Sequence, residues 1–333
     1  MDEELLRILC CPDCRCDLTL ASQDKGAAVD TGTLTCPKCS RVYPIVRGIP
    51  RFVKADDYLR NFGMEWTIHA KTAFDSSLGK PVSEYMFQTR IGFDPGSIEG
   101  KLVLDAGCGS GRLLDVVRRH GGVAVGLDYT VAIDEAAKNL WPDRDVKLVQ
   151  GDILKPPLKP DVFDYAFSNG VLHHTPDPPR AFSCVAALVK PGGMVGVWVY
   201  PDEGVLGRVP NRTAALFRVV TTRIPLPVLY KICKSLQEHI VFPDVIYENF
   251  FDVDQSYAKG YRNPRQALYL IVPFWSFAPF KDWRIMDTFD FLSPKYKFAY
   301  SYPQVVSWFK ANGFVDIERL PFPVAVRGRR RGG

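Results

Sequence analysis

At 333 residues and 47% hydrophobic side chains, the chain has room for about two domains with ordinary packed cores. No apolar run approaches the roughly 20 residues of a membrane helix, and the opening MDEELLRILCC has no basic n-region, so a cytoplasmic chain without a transmembrane segment is expected. The formal charge of +5 is mild; Arg327, Arg329, Arg330 and Arg331 supply much of it as a solvated end, which lends little to a dedicated nucleic-acid surface.

Six of the nine cysteines fall in the first 39 residues, the wrong distribution for a secreted disulfide framework and the right one for a metal module in a reducing compartment. Cys11-Pro-Asp-Cys14 and Cys36-Pro-Lys-Cys39 are two C-P-x-C knuckles separated by twenty-one residues. Together they offer one tetrahedral ion four thiolates, a closed shell that suits structural zinc; Cys10 and Cys16 are spare thiols. With its ending YPIVRGIP, this segment resembles the Trm112-like zinc ribbon, a small activator partner of methyltransferases. The resemblance covers about the first 53 residues and implies a supporting or substrate-presenting module, residues 1–54.

Residues 55–100 carry aromatic side chains at helical spacing, among them Tyr58, Phe62, Trp66, Tyr85 and Phe87. The stretch KLVLDAGCGSGR follows at 101–112. Leu102, Val103 and Leu104 read as a buried parallel strand, and Leu113, Leu114, Val116 and Val117 as the apolar face of the next helix. Between them Gly107, Gly109 and Gly111 let the backbone approach a ligand, and the helix start offers unpaired N–H groups to a negative group. A nicotinamide site wants G-x-G-x-x-G; here the third glycine arrives one residue early, with Arg112 in its place.

Further strands are expected at 123–127, ending in Asp128 twenty-one residues after Gly107, at 146–150, running into Asp152 and Ile153, and at 163–168, leading to Asn169 and the pair His173-His174. An acidic side chain at a strand end such as Asp128 can accept both hydroxyls of a ribose. A helix over 179–189, the turn Lys190-Pro191-Gly192-Gly193 and a fifth strand over 194–200 complete the run. The spacing D-x-G-x-G-x-G from Asp105 to Gly111, with these strands in order behind it, resembles class I S-adenosylmethionine-dependent methyltransferases. That resemblance implies cofactor contacts from Asp105, Gly107, Gly109, Gly111, Asp128, Tyr129, Asp152, Ile153 and Asn169, with Asp152 on the adenine amino group and Ile153 against the ring. Asn61-Phe62-Gly63-Met64-Glu65-Trp66 looks like the N-terminal cap of a bacterial methyltransferase group, which adds Trp66 and Arg90 as candidate contacts beside core packing for Trp66 and a surface salt bridge for Arg90.

After the fifth strand such a domain needs one helix and a final hairpin. They are expected late, as a helix over 302–312 and strands over 314–320 and 324–326, so residues 201–301 read as an insertion, mostly helical. Leu229, Ile232, Leu236 and Ile240 share one helical face there, and from Phe242 to Tyr300 seventeen of fifty-nine residues are aromatic, either core or the walls of an acceptor pocket. The expected fold is α/β: a Rossmann-like seven-stranded methyltransferase sheet with helices on both faces over 55–333, plus the small zinc ribbon.

Methyl transfer from a sulfonium is an in-line displacement, and a base is needed only for a hydroxyl or another weak acid. His173 and His174 are the candidate bases, each with an alternative as a packed or capping helix-start residue. The fourth strand lacks the N-P-P-[YF] tetrad of adenine N-methyltransferases, no Pro-Cys pair supplies a cytosine C5 nucleophile, and no carboxylate set suits a magnesium-dependent catechol site. The expected function is metal-independent O- or N-methylation of a small molecule, natural product or glycan. An RNA methyltransferase and a partner-binding protein with a vestigial pocket are the alternatives.

Overall fold

The computed structural model describes residues 1–22, 28–54, 59–141, 146–202, 204–239 and 280–332. Helix α1, Glu3–Ile8, is capped by the Asp2 carboxylate, which accepts from the Leu5 N–H at 2.7 Å. Strands β1 (Thr19–Ser22), β2 (Gly32–Thr35), β3 (Val42–Val46) and β4 (Ile49–Pro50) pair antiparallel in that order. Along β3, Tyr43 and Ile45 turn inward while their neighbours face water, the alternation of a sheet with one face on a core.

Short helices α2 (Arg60–Ile68), α3 (Asp75–Leu78) and α4 (Val82–Met86), with a π-turn at Phe87–Ile91, lead into the main sheet. There β5 (Leu102–Ala106), α5 (Arg112–Arg119), β6 (Val123–Asp128), α6 (Ala132–Leu140), β7 (Val146–Gln150), β8 (Phe163–Asn169), α7 (Pro178–Ala186) and β9 (Val189–Trp198) follow in order. Helices α8 (Gly204–Thr221), α9 (Leu226–His239) and α10 (Lys281–Leu292) precede α11 (Tyr302–Ala311) and the hairpin β10 (Phe314–Arg319) and β11 (Ala325–Arg330).

Seven strands, the number expected, lie in the order β10-β11-β9-β8-β5-β6-β7, all running the same way except β11, which is antiparallel to both of its neighbours, β9 and β10. Helices α7 and α11 cover one face through Phe182, Val305 and Phe309, and α5 and α6 the other through Leu114, Val117 and Ile133. Strand order reverses between β5 and β8, which opens a crevice outside their C-terminal ends.

The four-stranded unit docks on the β7 edge. Phe52 N–H donates to Gln150 O at 2.8 Å, Cys10 N–H to Pro157 O at 3.0 Å, and Arg15 to the carbonyls of Pro156 and Leu158 at 2.6 Å each. Leu5, Leu9 and Ile45 share one continuous core with Leu104 and Val149 of the main sheet.

Three expectations need correction. The Lys190-Pro191-Gly192-Gly193 turn is part of β9: pairing with β8 begins at Phe163 and Val189, and a register shift absorbs the extra residues before Tyr165 meets Met194. The arginine-rich end is no solvated tail, because β11 runs to Arg330 between β9 and β10, with Arg327 on Glu318, Arg329 on Asp316 and Arg330 on Asp161. The buried face of α9 is Leu229, Cys233 and Gln237, while Ile232 is 41% exposed; Gln237 Nε2 donates to Thr288 Oγ1 of α10 at 2.8 Å. Tyr58, Ile240 and most of the aromatic stretch after Phe242 lie outside the described residues.

Candidate active site and metal centre

The glycine turn after β5 is locked from behind. Gly107 (φ +93°) and Gly111 (φ +91°) adopt a left-handed backbone, and a Cβ would fall 2.5 Å from Val171 Cγ1 at the first and 2.6 Å from Leu140 Cδ1 at the second. Trp66 of α2 lies directly over Gly109, its Cε2 3.1 Å from where a Cβ would be.

Asp128 ends β6 beside this turn. Its Oδ2 accepts from Gly109 N–H at 2.8 Å, and its Oδ1 from the Thr130 N–H at 2.8 Å and hydroxyl at 2.7 Å. Burial pushes its carboxyl up against these hydrogen bonds, and burial, reinforced by Asp128, drives Asp105 well above the ordinary carboxylate range. Past β7, Asp152 accepts from Leu154 N–H at 2.8 Å, and Ile153 is buried beside it. Tyr129 follows Asp128, its carbonyl accepting from Gln150 Nε2 at 3.0 Å.

Two buried polar atoms near the turn have no hydrogen-bond partner among the described residues: Asn169 Oδ1 at the end of β8 and Arg112 Nη1 at the start of α5. Burial, with Arg90 nearby, lowers the Arg112 guanidinium to about 10. An orphaned acceptor, an orphaned cationic donor and a helix N-terminus match the ammonium and carboxylate of an amino-acid moiety. Arg90 is only 9% exposed, its guanidinium stacked between Trp198 (4.4 Å) and Phe322 (4.0 Å), which is a buried rather than a surface position.

His173 and His174 are both buried in a short 3-10 turn after β8. The Tyr200 N–H donates to His173 Nδ1 at 3.3 Å, which leaves that ring's proton on Nε2, itself without a hydrogen-bond partner among the described residues. His174 is the opposite tautomer, its Nδ1–H donating to Tyr296 O at 2.9 Å. Burial drives His173 well below the usual imidazole range and His174 to about 4, Asp290 opposing the second shift.

Four residues that pattern reading passed over surround this pair: Glu65, Tyr200, Asp290 and Lys297. The Tyr200 hydroxyl donates to Asp290 Oδ2, and Lys297 Nζ lies 3.5 Å from the same oxygen and 3.9 Å from the Tyr200 ring centre. Burial, with Asp290 and Asp287 close by, pushes Glu65 well above the carboxylate range; burial brings Lys297 down to about 8. Burial also raises Asp290, but Lys297, His174 and Tyr200 outweigh it and hold that carboxyl low. Glu65 had a signal, being next to Trp66 in the cap sequence. Asp290 and Lys297 are far down the chain, in a stretch without periodic landmarks.

In the N-terminal segment, the sulfurs of Cys11, Cys14, Cys36 and Cys39 all lie within 4.8 Å of one another. The two knuckles repeat one backbone design. Arg15 (φ 60°) and Ser40 (φ 58°) follow the second cysteine of each, donating to Cys11 O and Cys36 O at 2.9 Å. Two superposable knuckles facing across such a gap form a four-thiolate shell fit for zinc. Cys10 and Cys16 stand outside the group.

Residues 104–197 match the family model of the methyltransferase domain, and residues 2–48 that of the Trm112p-like protein. The chain is 32% identical over 106 residues to a ubiquinone biosynthesis O-methyltransferase of Coxiella burnetii (strain Dugway 5J108-111), an alignment covering 29% of this chain and 42% of that one. With the enzyme of the same name from Paracidovorax citrulli (strain AAC00-1) it shares 35% over 113 residues, covering 32% and 47%. It thus spans less than half the length of these curated relatives. A solved S-adenosylmethionine dependent methyltransferase from Mesorhizobium loti aligns at 27% identity over 36% of this chain and 52% of its own, with a TM-score of 0.31. Over these two stretches the chain matches a methyltransferase domain and, ahead of it, a Trm112p-like protein.

Proposed function

We propose that this protein methylates a small molecule, natural product or glycan, on oxygen or nitrogen, with S-adenosylmethionine as donor. The observation that carries the reading is the convergence, outside the ends of β5, β6, β7 and β8, of the glycine turn, Asp128, Asp152 and the orphaned atoms of Asn169 and Arg112. The cofactor, when bound, supplies an electrophilic methyl group on sulfur. Asp128 Oδ2 has a lone pair left for a ribose hydroxyl, and Asp152, with Ile153 beside it, suits the adenine. Asn169 and Arg112 fit the amino-acid end, and Trp66 closes over Gly109. Positioning and exclusion of water then supply much of the rate.

The relatives named as O-methyltransferases favour an oxygen acceptor, for which one of the two histidines provides the base. Paired with carboxylates along β10 and at Asp161, the arginines of β11 give little support to an RNA surface. The four cysteines hold zinc as a structural ion, and residues 1–54 act as a brace for the domain over 55–333. Calorimetric titration with S-adenosylhomocysteine tests the pocket. Radiolabelled methyl from S-adenosylmethionine, followed into the small-molecule and RNA fractions of a cell extract, tests the acceptor class; label in RNA alone would reject it.

A further inference from the structure

Two hydrogen-bond acceptors face each other in the interior with no proton between them. Because Nδ1–H of His174 is spent on Tyr296 O, its Nε2 carries a lone pair, and that atom lies 3.6 Å from Asp290 Oδ1. Tyr200 and Lys297 occupy the other oxygen of Asp290, and Oδ1 has no hydrogen-bond partner among the described residues. Glu65 Oε2, on the cap helix α2 that packs against α10, is another buried oxygen without a hydrogen-bond partner among the described residues. A buried acceptor left without a donor is costly, so the facing pair His174 Nε2 and Asp290 Oδ1 suits a ligand that brings a donor.

Charge and shape narrow that ligand. Lys297 lies against Asp290, and burial favours the neutral forms of Glu65 and of both imidazoles, so the cluster favours a neutral ligand over an ammonium or a carboxylate. The charged groups acting on His174 are Asp290, Lys297 and Arg218, with the His173 ring alongside at 4.2 Å. The rings of Phe62 and Tyr200, 4.8 and 5.6 Å from that of His174, add flat apolar walls. His173 cannot serve as base, because its one lone pair is taken by the Tyr200 N–H.

Resting on the methyltransferase reading, we propose that His174 and Asp290 form the acceptor site for a neutral hydroxyl, which gives its proton to His174 Nε2 while Asp290 Oδ1 holds the imidazolium that results. An oxygen lone pair forms the new bond to the methyl carbon, the carbon–sulfur bond breaks with its electrons staying on sulfur, and the hydroxyl proton ends on His174 as the sulfonium charge disappears. Asp290, from the insertion between β9 and β10, is thereby part of the chemistry of a domain whose glycine turn lies almost two hundred residues earlier.

The test uses the full chain loaded with S-adenosylhomocysteine and labelled with ¹³C at histidine Cε1, the His174 signal being assigned with His174→Gln. Phenol is the neutral hydroxyl probe, with benzoate and benzylammonium as charged counterparts. Phenol should shift the His174 resonance saturably, the charged probes should not, and Asp290→Asn should weaken phenol binding about tenfold. With S-adenosylmethionine instead, Asp290→Asn should slow methyl transfer to phenol by about 10²-fold while its affinity for S-adenosylhomocysteine stays unchanged. A His174 signal that ignores phenol or follows a charged probe, or an Asp290→Asn protein that methylates phenol at the wild-type rate, overturns the proposal. Failure of S-adenosylhomocysteine itself to bind would instead overturn the methyltransferase reading.

Discussion

Asp128 has two jobs at the end of β6. It ties the glycine turn to the strand through Gly109 N–H, and it keeps one lone pair, on Oδ2, for a ligand. Asp128→Ala should therefore weaken S-adenosylhomocysteine binding by about 1.5–3 kcal/mol, read by calorimetry; unchanged affinity would remove Asp128 from the site. The buried histidines set a pH dependence. An unfolded imidazole takes its proton near 6.5, whereas His174 in the native protein waits until about 4 and His173 is also well below 6.5. Over that window the unfolded chain binds more protons, so stability is full above about 6.5 and falls as the pH drops towards 4, at up to about 1.4 kcal/mol per pH unit for each histidine. Guanidinium denaturation at pH 7.5 and pH 5 should show the loss, and His174→Gln should flatten part of it.

Among the elements, β11 was the least legible. Four arginines in seven residues read as a solvated end, but the short alternation of Ala325, Val326 and Gly328 with longer side chains fits a strand whose arginines find carboxylates on its neighbours. Deleting residues 325–333 should abolish cooperative thermal unfolding, because β10 would lose its only route to β9; a disposable tail would leave the melt unchanged. The ribbon was legible as a metal module, its docking was not. Arg15, just after Cys14, holds the carbonyls of Pro156 and Leu158 in the loop that carries Asp152. Cys36→Ser should lose zinc by metal analysis, and removing zinc with a chelator should weaken S-adenosylhomocysteine binding by loosening that loop. Full zinc content in Cys36→Ser would refute the four-thiolate shell.

For the whole molecule, the insertion belongs to the site more closely than its place in the chain suggests. Helix α10 packs Trp283 and Met286 against Ala73, Val82 and Met86, Asn61 donates to Ser293 at 3.0 Å, and the Arg112 guanidinium lies 5.3 Å from the Trp283 ring. Replacing residues 201–301 by a short linker should thus weaken cofactor binding by calorimetry as well as abolish methyl transfer; full cofactor affinity would show that the cap stands without α10. By itself, the sequence determined the individual strands, the glycine turn, the acidic strand ends and the two cysteine knuckles, because each rests on local spacing: an apolar run, a left-handed backbone position or a two-residue gap between ligands; their union in one seven-stranded sheet was implied by the resemblance to class I methyltransferases. Only the tertiary structure decided that Asp290 and Lys297 meet His174, that Arg90 is sandwiched between Trp198 and Phe322, and that β11 is an inner strand. Those are contacts between residues about a hundred or more positions apart, or choices between partners of equal local propensity, and they are settled by burial, charge pairing and the demand that interior polar atoms find partners.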